Sequence, residues 1–317
     1  MRSVTSQLTI HKLEVFCIVA ELKSVSRAAE RLNIAQPVVS AHLKSLASKL
    51  GVSLTERNGR RIALTEEGQR VYKWAQDVVI RTQEFEREIA DTQRGQAGKA
   101  KIGASMTLGS YVLPGIIAPI KQRYSQGEIS VQVTDSILVP DAVRQGECDF
   151  AFTILDPRHE IDGLEVQRVR DERLILVASK RSETKAKSVA LDELSELPFV
   201  TAQLRTPRRD IEERLLMEFG VSRKQIVMEF GHAEAIKQAV RAGAGVAFLF
   251  QSSVRDELAS GSLRRLETIG MELRVPFYLV YRKNKNLTRF QTMMLDEISL
   301  ALRDYPADRI ACTIEGG

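Results

Sequence analysis

Several features that would identify common classes of protein are missing from this sequence of 317 residues. No apolar run approaches the roughly 18 residues that a membrane-spanning helix needs, so we predict no membrane segment. The first residues, MRSVTSQLTIHKLEVF, contain no apolar stretch followed by a small-residue cleavage site. We therefore expect the chain to stay in the cytoplasm and to have no membrane partner.

Cysteine and histidine are too few and too scattered for a metal centre or a disulfide framework. The cysteines Cys17, Cys148 and Cys312 are far apart and odd in number, which is not typical of either. The four histidines do not cluster, so we predict no metal and no cofactor. Cys17 and Cys148 are expected in the apolar core, with a redox role for Cys148 as the alternative.

Sequence signatures of common enzymes are missing as well. The chain has no G-x-S-x-G and no Walker sequence. Gly243-Ala244-Gly245 resembles part of a dinucleotide-binding fingerprint, but it lies between a predicted helix and a predicted strand, the reverse of the required order. We predict no catalytic residues and no enzymatic activity.

Positive charge is concentrated at the start of the chain. Residues 1–70 contain 11 Lys and Arg against six Asp and Glu, whereas the remaining residues contain 35 of each sign. The first fifth therefore carries the whole net charge of +5. This distribution is typical of a module that binds a polyanion, although a chance asymmetry would look the same.

Residues 9–50 have the pattern of a helix-turn-helix. The second helix is predicted to begin after Ser24, a favourable N-cap, and to end at Asn33, which tolerates a left-handed turn. A third helix starts near a proline, whose missing N–H costs nothing in the first turn. The outer face of this helix carries side chains suited to base edges and phosphates, namely Gln36, Pro37, Ser40 and Lys44. A recognition helix in the major groove is therefore predicted.

A short hairpin follows the predicted recognition helix. Asn58-Gly59 between two short β-like runs predicts a two-residue turn. A hairpin at this place is a wing, and its arginines are placed to contact the DNA backbone or the minor groove. The predicted contacts are Arg57, Arg60 and Arg61. We therefore predict a winged helix-turn-helix domain over residues 1–66.

Residues 9–68 resemble the N-terminal domain of the LysR-type transcriptional regulators. The shared pattern consists of a paired alanine, Gln-Pro and Ser in the third helix, Leu-Gly, and a wing Arg followed by Leu-Thr and Gly. Here these are Ala28-Ala29, Gln36-Pro37, Ser40, Leu50-Gly51, Arg57, Leu64-Thr65 and Gly68. The chain departs from the family at Ala47, where a Glu is usual, and at Thr55, where the usual Phe would anchor the wing.

A long helix is predicted next, from Thr65 as N-cap to about Gln93, and we assign residues 67–94 to a linker. Its apolar residues recur at alternating intervals of four and three, at Val71, Ala75, Val78, Thr82, Phe85 and Ile89. Such a seam could join two copies of the chain, although a helix packed on its own domain would show the same pattern. The family resemblance implies a homodimer that often forms a tetramer, with RNA polymerase as a candidate further partner.

From residue 100 onward, predicted strands alternate with helices, which indicates an α/β domain with a mostly parallel sheet over 95–317. The resemblance implies an effector domain of two Rossmann-like lobes, similar to periplasmic solute-binding proteins. Lobe one would contain about 100–163 and 268–305, and lobe two about 164–267. We draw no functional prediction from 306–317.

In such folds a ligand lies in the cleft at the carboxyl ends of strands, where helices begin. The residues at these points are Ser105, Met106, Thr107, Ser136, Ile137, Thr201, Ala202, Gln203 and His232. Oriented N–H groups favour a small anion, although Ser and Thr at a helix start are more often plain caps. His232 stands where the resemblance implies Ser or Asn, so it is a candidate for setting specificity.

The sequence therefore predicts a DNA-binding transcriptional regulator that responds to a small molecule. The alternative is a solute-binding receptor whose N-terminal part only dimerises. That alternative leaves the basic excess of residues 1–70 unexplained and would normally require an export signal.

Overall fold

The computed structural model describes residues 8–58, 61–93, 98–155, 160–182 and 186–305. The chain divides into two compact units, Met1–Gly95 and Gln96–Gly317. In the described residues of the first unit there are four helices and a two-stranded hairpin, namely α1 (Ile10–Leu22), α2 (Val25–Leu32), α3 (Gln36–Leu50), β1 (Thr55–Asn58), β2 (Arg61–Leu64) and α4 (Glu66–Gln93).

The caps of the first unit follow the predicted residues. Ser24 Oγ accepts a hydrogen bond from Arg27 N at 3.3 Å at the start of α2, and Asn33 ends that helix in the left-handed region with φ of 53°. Gly68 N donates to Thr65 Oγ1 at 2.9 Å in the first turn of α4. These predictions are confirmed, because capping depends on local residue types.

Strand β1 includes Asn58, which was predicted to lie in the turn, because Asn58 pairs with Arg61 in the antiparallel register. Gly59, the other residue of the predicted turn, lies outside the described residues. Backbone hydrogen bonds hold β2 in the unit, since Ile62 N donates to Lys23 O at 3.2 Å and, just after the strand, Thr65 N donates to Leu54 O at 3.2 Å.

The predicted seam of α4 is divided between two roles. Ala75 is fully buried in the core of the first unit, and Val71 and Val78 pack against the same cluster. Phe85 and Ile89 remain 61% and 42% exposed. The alternative prediction, a helix packed on its own domain, is therefore correct for the first half of the seam, because α1 and α3 need an apolar partner there.

The second unit contains the remaining strands, which pair in a mixed arrangement. They are β3 (Lys99–Ser105), β4 (Glu128–Thr134), β5 (Phe150–Ile154), β6 (Leu164–Ser179), β7 (Ser188–Val189), β8 (Pro198–Ala202), β9 (Gln225–Phe230), β10 (Val246–Phe250), β11 (Leu263–Thr268) and β12 (Leu273–Arg282).

Helices cover the faces of this sheet. They are α5 (Leu113–Arg123), α6 (Val139–Arg144), α7 (Leu191–Glu196), α8 (Pro207–Glu218), α9 (Ala233–Arg241), α10 (Arg255–Ala259) and α11 (Arg289–Arg303). A π-helical turn over Leu108–Val112 leads into α5. The predicted alternation of strands and helices is present, and α7 and α10, with six and five residues, are too short for periodicity to indicate a helix.

Two long strands join the lobes. Among the described residues the strand order is β4-β3-β5-β12-β6-β10-β8-β9, and β11 pairs with β6. Strands β12 and β6 pair antiparallel from Leu273 with Leu174 to Arg282 with Leu164. Parallel pairing joins β4-β3-β5, β10-β8-β9 and the short pair β7-β11. The prediction of a mostly parallel sheet is thus wrong for the centre, where the long strand β6 pairs antiparallel with β12, β10 and β11.

Candidate nucleic-acid interface and ligand cavity

The predicted contact residues of α3 share one face of the helix. Gln36, Pro37 and Lys44 are exposed and Ser40 is half-buried. Val39 and Leu46, on the opposite face, are fully buried. The face that a recognition helix presents is therefore separated from the face that holds the helix in its unit.

A contact between helices orients the first of these side chains. Ser26 Oγ of α2 donates to Gln36 Oε1 at 3.3 Å. An amide oxygen accepts two hydrogen bonds, so Gln36 keeps one acceptor site and both of its N–H donors. Val38 is 43% exposed in the same turn. Periodicity alone did not single it out, although an exposed apolar side chain there suits a thymine methyl group.

The wing arginines are only partly described. Arg57 faces Ile62 and Arg61 faces Asn58 in the backbone register, but the side chains of Arg57 and Arg61 and the whole of Arg60 lie outside the described residues. Leu54 is 2% exposed and packs in the core of the first unit. Leu54 and Ile62 therefore supply an apolar anchor in the absence of a phenylalanine at Thr55.

Six of the nine predicted effector residues line one cavity in the second unit. They are Ser105, Met106, Thr107, Ser136, Ala202 and His232. The cavity has a volume of about 90 Å³, enough for several water molecules or a small organic molecule. It is bordered by the starts of α8, α9 and the π-helical turn before α5, so backbone N–H groups without helical partners lie along its wall.

Ser105 carries an unsatisfied hydroxyl at this wall. The residue is 4% exposed, and its Oγ has no hydrogen-bond partner among the described residues. A buried hydroxyl without a partner costs about 1–3 kcal/mol. A bound molecule that hydrogen-bonds to Ser105 would remove this cost.

Lobe two contributes a cationic side chain that the sequence analysis missed. Thr206, rather than residues 201–203, caps α8, because its hydroxyl accepts from Arg209 N at 3.4 Å. Arg208 follows in the first turn and lines the cavity. Its Nε donates to Glu212 Oε1 at 2.9 Å and its Nη2 donates to Phe248 O at 2.8 Å. Without the position of the cap, the sequence could not place this arginine at the cleft.

His232 is both a cap and part of the cavity wall. Its Nδ1 accepts from Glu234 N at 3.1 Å at the start of α9. Because Nδ1 is the acceptor, the neutral imidazole carries its proton on Nε2. His232 therefore presents a donor to the cavity while it caps the helix.

Three predicted effector residues lie away from the cavity. Thr201 is 2% exposed, and its hydroxyl accepts from Arg223 Nη1 at 3.0 Å, which uses it inside lobe two. Ile137 and Gln203 are exposed and are not among the lining residues. The lining residues that the sequence analysis missed are Asp135, Ile154, Thr206, Pro207, Arg208, Phe230, Gly231, Ala233, Ile236 and Phe250.

A polar contact joins the lobes beside the cavity. Tyr111 Oη, from lobe one, donates to Glu234 Oε2 at 2.5 Å, and the buried Lys237 Nζ lies 2.9 Å from the same oxygen. Burial alone would raise the pKa of Glu234, but hydrogen bonds from Tyr111, Lys237 and Gln238 outweigh it and lower that pKa to about 2. Burial and the bond to Glu234 raise the pKa of Tyr111 to about 12. Near neutral pH, Glu234 is therefore ionised and Tyr111 keeps the proton that it donates.

The cysteines that the structure describes are protonated thiols. Burial first, then the neighbouring Asp149, raises the pKa of Cys148 to about 11, and burial raises the pKa of Cys17 to about 12. Neither is a reactive thiolate at neutral pH. Within the described ranges, no group of three His, Cys, Asp or Glu side chains could hold a metal ion. In the same part of the chain, no helix is both long and apolar enough to cross a membrane.

A helix-turn-helix unit followed by an α/β unit with a lined cavity defines a DNA-binding protein with a ligand-binding part. The LysR substrate binding domain model matches residues 93–298, and the model of the bacterial regulatory helix-turn-helix protein, lysR family, matches residues 10–69. The chain belongs to the LysR family of transcriptional regulators. It is therefore a sequence-specific DNA-binding regulator with an effector-binding domain.

Relatives and solved structures agree with this assignment. The probable RuBisCO transcriptional regulator of Thalassiosira pseudonana is 30% identical over 270 residues, which cover 83% of this chain and 87% of the relative. The HTH-type transcriptional activator CmpR of Synechocystis sp. is 30% identical over 289 residues, or 91% and 94%. The CcmR regulatory domain of Synechocystis, solved in complex with 2-PG, is 23% identical with a TM-score of 0.58, and covers 66% of this chain and 99% of that chain.

Proposed function

We propose that two copies of this chain bind a pseudo-palindromic DNA site, and that a small anionic effector in the cavity changes how they bind. Gln36 and Ser40 read base edges, Pro37 begins the recognition helix, and Lys44 contacts phosphate. The wing residues Arg57, Arg60 and Arg61 contact the backbone or the minor groove. The shared exposed face of α3 supports these roles.

The observation that carries the effector proposal is the buried Ser105 hydroxyl without a partner, in a cavity that also contains Arg208. Helix starts and a guanidinium both favour negative charge. The relative CcmR was solved with 2-PG, which supports a small anion here. Ile137, Thr201 and Gln203 remain predictions with less support, since they lie away from the cavity.

Effector binding would bias the relative position of the two lobes. The Tyr111–Glu234 bond joins them, and Glu234 lies in the same first turn of α9 as the cavity residue Ala233. A ligand shifts such an equilibrium only by its different affinity for the two positions. We therefore expect the effector to act by making or breaking this contact.

Dimer formation through the second half of α4 completes the proposal. Phe85 and Ile89 are exposed on the predicted seam, and Trp74 is 46% exposed on the same helix. These apolar side chains support a contact with a second copy. A tetramer, a contact with RNA polymerase, a cytoplasmic location and the lack of catalysis are further parts of this proposal, and they rest on the family alone.

The test is a fluorescence-anisotropy titration of the full chain against DNA from upstream of its own gene. A scrambled duplex and a range of salt concentrations are included. Tight, sequence-selective binding with a steep salt dependence is expected. No binding even at low salt would reject the DNA-binding role.

Replacing Gln36 by Ala separates the regulator from a receptor that only dimerises. Gln36→Ala should alter sequence preference, whereas Gln122→Ala, an exposed glutamine of the second unit, should not. If both variants keep the wild-type preference, α3 does not read bases.

A further inference from the structure

The cavity places opposite charges on its two lobes. Arg208 lines it from lobe two, and Asp135 lines it from lobe one. His232 adds a hydrogen-bond donor, and much of the remaining lining is apolar, including Ile154, Ile236, Phe230 and Phe250. A molecule bound between the lobes therefore meets one cation and one anion.

The guanidinium of Arg208 is fixed in orientation. Its side chain is 17% exposed, and its Nε and Nη2 are held by Glu212 and by Phe248 O. Glu212 is itself buried and accepts from Arg223 Nη1 at 2.9 Å. Among the described residues nothing hydrogen-bonds to Nη1 of Arg208, so this corner of the planar fork can bind an anionic oxygen.

Asp135 is fixed in a turn and retains a free oxygen. Its Oδ1 accepts from Ile137 N at 3.1 Å, whereas its Oδ2 has no hydrogen-bond partner within the described part of the chain. A carboxylate at this position repels a second anionic group in the ligand. It accepts a strong hydrogen bond from a hydroxyl or an ammonium group.

These charges define the class of effector, given the proposed function of the cavity. We propose that the effector carries one anionic group, bound by Arg208, and a nearby hydrogen-bond donor, bound by Asp135. A volume of about 90 Å³ restricts it to a small molecule. Hydroxy acids, amino acids and phosphorylated alcohols have this chemistry, whereas bare oxyanions and doubly acidic compounds do not.

The test compares probes that differ in one group. Propionate, lactate and alanine share a three-carbon carboxylate. Propionate carries no hydrogen-bond donor, lactate carries a hydroxyl group and alanine carries an ammonium group. Glycerol phosphate replaces the carboxylate by a phosphate, and 2-PG is included as the ligand of the CcmR structure. Calorimetric titration of the full chain, up to millimolar concentrations, gives each Kd.

Lactate, alanine or glycerol phosphate should bind at least about tenfold more tightly than propionate, the factor expected for one hydrogen bond to a charged group. Asp135→Asn keeps the turn, because Asn caps it equally well. This variant should reduce that preference to less than about threefold and should bind 2-PG more tightly.

Two arginine variants complete the set. Arg208→Gln should weaken every anionic probe by about tenfold or more, as loss of a charged contact predicts. Arg265→Gln removes the same charge from an exposed position of β11 and should leave all Kd values unchanged. Arg208→Gln also leaves Glu212 with one partner fewer, so the thermal unfolding of this variant is recorded. If Arg208→Gln does not fold, the test of the proposal rests on Asp135→Asn.

Equal binding of propionate and lactate would overturn the proposal, as would an Asp135→Asn variant that weakens both alike, or no binding of any probe. Tight binding of 2-PG that requires Ser105 would support the cavity as the effector site. It would reject only the proposed effector class, which carries one anionic group and a hydrogen-bond donor. Loss of DNA binding in the anisotropy titration would reject the regulator itself and leave these Kd values untouched.

Discussion

The two units of this protein differ in how their functional surfaces are built. The proposed DNA-contacting residues from Gln36 to Lys44 occupy one helix face, and three of the four are exposed there. The cavity residues come from segments as distant in sequence as Ser105 and Phe250. A surface made by one helix depends on local periodicity, whereas a cavity depends on how distant segments pack.

The units also have separate cores, and this gives the largest expected effect. Phe16 is fully buried in the first unit and contacts Tyr72 edge-on, with ring centroids 6.3 Å apart. Phe16→Ala should therefore destabilise that unit by about 3–5 kcal/mol. Urea unfolding is followed by the circular dichroism of the full chain. Phe219→Ala, at a residue 36% exposed in the second unit, is the matched control. Equal losses in the two variants would contradict the burial of Phe16 in the core of the first unit.

Recognition of one base pair of the DNA site should depend on Gln36. Gln36→Ala is expected to cost about 1–3 kcal/mol at one base pair and to leave other positions of the site unchanged. Anisotropy against a set of single-base-pair variants of the duplex measures this. A uniform loss over all duplexes would mean that Gln36 only holds the helix in place.

Removing a cavity side chain should stabilise the protein rather than destabilise it, because the unsatisfied hydroxyl of Ser105 is costly before the ligand binds. Ser105→Ala should raise the free energy of unfolding of the effector-free protein by about 1 kcal/mol and weaken binding of the anionic probes. Ser252→Ala removes another buried hydroxyl without a partner, outside the cavity lining. It should stabilise to a similar extent without changing probe binding. A destabilised Ser105→Ala variant would show that the hydroxyl is already satisfied.

The contact between lobes should make the second unit sensitive to acid. Glu234 has its pKa lowered from 4.5 to about 2 in the folded chain. Its contribution to stability is therefore complete above pH 4.5 and is lost as the pH falls towards 2. Glu234→Gln should flatten the loss of stability over this pH range, as measured by urea midpoints. Glu147→Gln, at an exposed position, should follow the wild type. Identical slopes for both variants would exclude a role for Glu234.

The smallest expected effect belongs to the wing. Arg60→Ala should weaken binding to every duplex alike and reduce the slope of affinity against salt by about one charge. Arg265→Ala, at an exposed position of β11 in the second unit, should do neither. A sequence-selective effect of Arg60→Ala would instead assign it to base recognition.

Local chemistry explains which sequence predictions are confirmed. Ser24, Asn33 and Thr65 cap or end their helices as expected, because each interaction involves residues within four positions. The seam of α4 was only half correct, since an apolar stripe does not specify whether its own domain or another copy covers it. The roles of Thr206 and Arg208 at the cavity were missed, because a loop separates Ala202, at the end of β8, from the start of α8, and its path is not visible in the sequence pattern.

The sequence by itself determined the helix-turn-helix, the family and the alternation of strands and helices, because these depend on short-range patterns of residue type. Only the tertiary structure decided that Arg208 and Asp135 line one cavity, that Thr201 is used inside lobe two, and that Tyr111 joins the lobes through Glu234. Tyr111 and Glu234 are 123 residues apart in the chain. Their contact depends on the antiparallel crossing of β6 and β12, which no local pattern specifies.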